Sequence, residues 1–221
     1  MPRNRTSRVT PADALRQARR TWLRDQRIDM GVLAGQLGIS RATLYNWAGD
    51  RERLTGEVLW SIAERTIAQA REQAHGSGPE FIAEVIERYL QAFGRFEPAR
   101  RFVARDPEFA LRVLTCSRTP FQQRLIDTVA ELIEEQARAA GYRPPLEPAT
   151  LAYLLVRIGE SFIFNDVITG TEPDLDKAVE ASTVLLHAPP VVGSRRGAGG
   201  ARQARLSRVR PSPAGARSGA R

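Results

Sequence analysis

Apolar residues recur at helical spacing along most of the chain, and no stretch of useful length alternates with the period of two that a half-buried strand requires. Ala14, Leu15, Ala18, Trp22 and Leu23 form the first stripe, on a helix predicted from residue 11 to about residue 24. Its start reads Thr10-Pro11-Ala12-Asp13: a capping hydroxyl, a proline in the first turn, then an acid. Two short helices are predicted next, at residues 30–37 and 41–47, with Ser40 placed to cap the second. Gly49-Asp50 opens a long fourth helix reaching about residue 75, where HGSGPE breaks the pattern. Phe81, Ile82, Val85, Ile86, Tyr89, Leu90 and Phe93 then mark a helix over residues 79–96. Shorter pieces at 98–104 and 107–116 precede a long helix at 120–140, an apolar one at 149–168 and a last one at 175–186. The expectation is an all-α chain of about nine helices, with a head at residues 1–55, a larger helical body at 56–187 and a tail at 188–221.

The densest pattern is LAGQLGISRATLYNWAGDRERL, residues 33–54. Leu37, Ile39, Leu44 and Trp47 stand 4, 6, 11 and 14 positions after Leu33. Leu33 and Leu37 share a face of one short helix, Leu44 and Trp47 share a face of the next, and Ile39 lies in the corner between them. Gly38 can take the positive φ of a tight corner, and Ala34 is small where the helices cross. This is the residue logic of a helix-turn-helix, in which one helix braces and the other enters a DNA major groove about 12 Å wide. Ser40, Arg41, Thr43, Tyr45 and Asn46 are left outside that core, and all can hydrogen-bond to bases or phosphates. The plainer alternative is an ordinary helical hairpin.

Charge favours the first reading. Residues 1–55 hold eleven basic and five acidic side chains, whereas residues 56–187 hold fourteen basic and twenty acidic. A basic front suits a phosphate-rich partner. From residue 189 onward there are eight arginines and no acid, in a Gly, Ala, Pro and Ser background. That composition buries too little apolar surface to offset its ordering entropy, so the tail is expected to be disordered. It is either a plain solvated extension or a source of non-specific attraction to DNA through counterion release.

The stretch at 33–54 resembles the DNA-binding signature of TetR-type transcription regulators. The resemblance implies that Tyr45 touches phosphate and that Trp47 is the first of two aromatic or His positions. It also implies that Arg51 stands where the family carries a phosphate-binding Lys and that Leu54 is the apolar residue after it. Ala48 departs from the pattern, which has Phe there. GISRATLYNWAGDRERLTGEVLW, with Trp60, is further similar to a TetR subgroup named after a regulator of quorum-sensing-signal degradation. What the resemblance implies is a homodimer that binds double-stranded operator DNA, most often as a repressor released by a small effector.

The 149–168 helix is apolar on most of its circumference and must be covered on all sides, by its own chain or by a second copy. Val184, Leu185 and Leu186 would add to such an interface. For a largely apolar effector the candidates are Tyr89, Phe93, Phe96, Phe102, Phe109 and Phe121; an aromatic stripe at this spacing can equally be plain core. Arg157 and Glu160, three apart within the apolar helix, can pair with each other and can contact a ligand.

Enzyme readings find little support, and no cofactor or metal is expected. GESFI lacks the second glycine and the preceding strand of a nucleophile elbow. GAGGAR lacks the Lys-Ser/Thr of a phosphate loop. The two histidines, His75 and His187, have no carboxylate at metal-ligand spacing. Cys116 is the only cysteine, so no internal disulfide forms, and a reducing cytoplasm is the expected setting. No apolar run reaches the ~18 residues of a membrane span. A helical small-molecule-binding protein whose head docks on a protein partner is the competing function.

Overall fold

The structure, a computed structural model, describes residues 9–191. Residues 1–8 and the expected tail beyond residue 191 lie outside the described residues. The elements are α1 (Pro11–Leu23), α2 (Met30–Leu37), α3 (Arg41–Ala48), α4 (Arg51–Gln73), α5 (Gly78–Arg95), α6 (Glu97–Arg105), α7 (Pro107–Thr115), α8 (Phe121–Ala140), α9 (Pro148–Ile163), α10 (Asn165–Thr169) and α11 (Leu175–His187). No strand occurs among the described residues. Among the described residues the fold is all-α with eleven helices rather than about nine. Part of the difference is that the apolar helix breaks at Phe164, whose backbone turns to φ −101°, ψ 21°. The Phe164 ring is buried edge-on against Phe93 at 6.3 Å. Asn165 competes for the next turn by binding the Thr169 hydroxyl at 2.7 Å.

Local chemistry sets the head. Thr10 and Asp13 form a reciprocal capping box at α1. Gly38 ends α2 at φ 66°, ψ 28°, and the Ile39 N–H then reaches back to the Ala34 carbonyl at 3.1 Å. Ser40 caps α3 by accepting from the Thr43 N–H at 3.0 Å. Ser40→Ala is expected to cost about 1 kcal/mol, read as a fall in the denaturant midpoint.

Helix α4 carries the head into the body, packing on α1, α3, α5, α7 and α8. Glu57 receives both Arg124 nitrogens from α8, at 2.7 and 3.1 Å. Arg112 of α7 reaches Glu52 at 3.2 Å, and Arg71 reaches Glu135 of α8 at 2.5 Å. Such half-exposed pairs fix register more than they add stability. At Gly56 the backbone of α4 meets Thr119 so closely that a Cβ would lie 2.8 Å from the threonine Cβ. Thr119 cannot easily yield, because it is buried and its hydroxyl donates to the Val113 carbonyl at 2.5 Å.

Two buried cores result. A front core joins Ala14, Trp22, Leu33 and Leu44 of the head to Leu54 and Val58 of α4 and to Val103, Phe109 and Phe121 of the body. A rear core gathers Ile82, Val85, Ile133, Leu151, Leu155 and Leu186, where α5, α8, α9 and α11 meet.

Candidate nucleic-acid interface and ligand cavity

Capping at Ser40 and burial of Leu44, which is 0% exposed, roll α3 so that its polar side faces outward. Ser40, Arg41, Tyr45 and Asn46 are exposed, Tyr45 by 49%. Thr43 is half-buried and shares a 2.8 Å hydrogen bond with the Ser40 hydroxyl. The Arg41 guanidinium lies against the backbone of Gly31 at the start of α2. Nearby, Asp29 caps that helix by accepting from the Gly31 and Val32 N–H groups, both at 2.8 Å. Those bonds hold the Asp29 carboxyl below the usual carboxylate range. Trp47 is half-buried and packs with Ala48 against the front core, so the larger indole occupies space beside a smaller neighbour. One residue expected on this face is elsewhere. The Arg51 guanidinium stacks 4.0 Å over the Phe109 ring of α7. Its position at the first turn of α4 and the approach of α7 turn it toward the body.

The eight residues expected to bind a ligand divide among separate places. Tyr89 and Phe93 of α5, Phe121 of α8 and Glu160 of α9 surround one narrow apolar cavity of about 60 Å³. Phe96 faces a neighbouring cavity of about 200 Å³ between α4 and α5, which shares Tyr89, Phe93 and Phe121 with the first. Phe102 and Phe109 do not join them. They stack edge-to-face with each other at 6.0 Å, Trp22 caps Phe102 at 5.8 Å, and both line a third cavity of about 200 Å³ at the head–body junction. Arg157 sits on the outer face of α9, 44% exposed, and reaches back to Glu160 at 2.6 Å.

Glu160 is the polar group of the narrow cavity. Burial pushes its carboxyl up to about 7, against the opposing pull of Arg157. Burial likewise raises the Tyr89 phenol, and the Glu160 charge adds to that. Gln122 completes the cluster. In the amide orientation that satisfies both of its ends, it accepts from Arg157 at 2.9 Å and donates to the Thr115 carbonyl at 2.5 Å. Nothing in the sequence distinguishes Gln122 from Gln123 beside it; only the approach of α9 to the first turn of α8 does. No group of three His, Cys, Asp or Glu among the described residues is placed to hold a metal ion. No described helix is long and apolar enough to cross a membrane.

Comparison with known proteins gives three results. The family model for the tetracyclin repressor-like C-terminal domain matches residues 77–187. Among solved structures, the transcriptional repressor QsdR of R. erythropolis, from the TetR family, superposes with a TM-score of 0.75 at 29% identity, over 80% of this chain and 93% of that one. The TetR family repressor AlkX of Dietzia sp. strain DQ12-45-1b, implicated in n-alkane biodegradation, gives 0.56 at 22% identity, over 81% and 95% of the two chains, which is a likeness of fold. No curated protein matches the sequence.

Proposed function

The chain belongs to the TetR family of transcription regulators, and from that premise we propose that it is a homodimeric repressor that releases its operator when a small, largely apolar molecule enters the body. The observation that carries the reading is the exposed polar side of α3, held outward by the buried Leu44. Arg41 and Asn46 read base edges, and Ser40, Thr43 and Tyr45 position the helix on phosphates. Trp47 fixes the pitch of α3 from behind. Two heads of a dimer address half-sites about one helical turn, ~34–36 Å, apart.

Dimerisation is supported by apolar side chains that the single chain leaves uncovered. On α9 these are Tyr153, 50% exposed, with Leu154, Ile158 and Phe162 half-buried beside it; on α11, Val184 is 68% exposed. The effector occupies the cavity beside Glu160 and enlarges it, because about 60 Å³ is small against the ~300–1,000 Å³ of most ligand sites. The rings of Tyr89, Phe93 and Phe121 separate it from the 200 Å³ neighbour, and their displacement merges the two. Leu59 and Ala63 of α4 line that neighbour, and the same helix begins three residues after α3 ends. Coupling of ~1–3 kcal/mol along α4 is enough to weaken operator binding, and it must act equally in reverse.

The test is selection of bound duplexes from a random pool, repeated with candidate apolar effectors. An enriched site with two-fold symmetry is expected; no salt-dependent duplex binding at low ionic strength would overturn the reading. Asn46→Ala should shift preference at one base pair per half-site by about 1–3 kcal/mol. Tyr45→Ala should weaken all duplexes by a similar factor.

A further inference from the structure

We propose that the cavity at the head–body junction is a second binding site, which takes a small aromatic carboxylate between Arg27 and Arg51. The cavity is about 200 Å³ and lies apart from the one beside Glu160, between the α1–α2 loop, the start of α4, and α6–α7. Its two sides differ in chemistry. Trp22, Ile28, Phe102 and Phe109 give it an apolar wall, and Arg27, Arg51 and Arg105 bring positive charge.

The existing carboxylates do not neutralise that charge. Asp25 is already engaged by Arg105 and, at 3.8 Å, by Arg101. Asp106 is turned to the start of α7, where it accepts from the Phe109 N–H at 3.1 Å. Arg27 and Arg51 have no ion-pair or side-chain hydrogen-bond partner among the described residues, and the Arg51 Nε–H is buried without an acceptor. Buried donors are ordinarily satisfied, so a guanidinium left without any acceptor at the wall of a cavity points to an absent one. Burial depresses the Arg51 pKa and the nearby Arg27 charge depresses it further, with Asp106 and Glu52 only partly offsetting both. An anion between the two guanidinium groups relieves all of this at once.

Geometry sets the class of anion. The Arg51 Cζ lies 4.0 Å over the Phe109 ring, and its terminal nitrogens make no hydrogen bond to the described residues, so they can take a carboxylate. The Trp22 and Phe102 rings then offer an apolar surface to whatever carries it. An apolar cavity of about 150 Å³ holds benzene, so one of about 200 Å³ suits a single ring with its carboxylate. Because the walls come from head and body, the occupant clamps one to the other.

The test uses the full chain and benzoate, titrated by calorimetry and by intrinsic tryptophan fluorescence, with benzyl alcohol and inorganic phosphate alongside. Benzoate should bind saturably, and benzyl alcohol and phosphate each at least about tenfold more weakly, as expected for a charge-assisted pair joined to an apolar wall. Arg51→Gln and, separately, the exposed Arg27→Gln should each weaken benzoate by about tenfold or more. The Arg27 variant keeps the test alive if Arg51→Gln does not fold. Equal benzoate binding in both folded variants overturns the proposal, as does equal binding of benzyl alcohol or of bare phosphate. A third result also overturns it: no benzoate binding, with Arg51→Gln flattening the log–log salt slope of duplex binding by about one. The guanidinium would then serve a DNA phosphate.

Discussion

Leu44→Ala is expected to lower the free energy of unfolding by about 2–5 kcal/mol and to abolish specific duplex binding. Leu44 is fully buried where α1, α2 and α3 converge, and it is the only wholly enclosed side chain of α3. Its loss leaves a cavity that short helices anchored by tight caps cannot close. At about 2–4 °C per kcal/mol for a chain of this size, the melting temperature should fall by roughly 4–20 °C. The loss of binding follows from position, because Leu44 sets the rotation at which Arg41, Tyr45 and Asn46 leave the surface. Scanning calorimetry and duplex titration together check both halves. An unchanged melting temperature would mean that α3 is not seated as described.

Glu160→Gln should act in the opposite direction and depend on pH. A carboxyl whose folded value is raised from 4.5 to about 7 binds its proton more tightly in the folded state than in the unfolded one. The folded state therefore loses stability as pH rises from about 4.5 to 7, and the penalty is constant above that. Its size is roughly 3 kcal/mol at pH 8. Glutamine keeps an acceptor for Arg157 and removes the buried charge. The variant should melt roughly 6–12 °C higher than the parent at pH 8, with the difference shrinking to nothing near pH 4.5. A pH-independent difference would show that Glu160 is not held in an apolar setting.

The head was legible because its signals are local. Gly38, Ser40 and Asp50 each act on a backbone within three or four residues of themselves, and the spacing of Leu33, Leu37, Leu44 and Trp47 states which face is buried. The body was legible as helices but not as a site. Phe96, Phe102 and Phe121 look alike as aromatic residues in helical segments. Which of them share a cavity depends on how α6 and α7 fold back against α1, and that is set by contacts some eighty residues apart in the chain, such as Trp22 with Phe102. Arg51 shows the same limit. Its place in the motif suggests phosphate, but the ring beneath it comes from α7. The break at Phe164 also escaped the apolar pattern, since a buried aromatic continues the stripe whether or not the helix does.

The continuity of the front core decides what can be exchanged. Trp22 belongs to the head by position, yet its neighbours Phe96 and Phe102 belong to the body. A chimaera that grafts the first 55 residues of a relative onto this body would inherit a foreign residue at the centre of that aromatic cluster. Transplanted specificity therefore has to be confined to the outward side chains of α3, or else the body-side rings must travel with the graft.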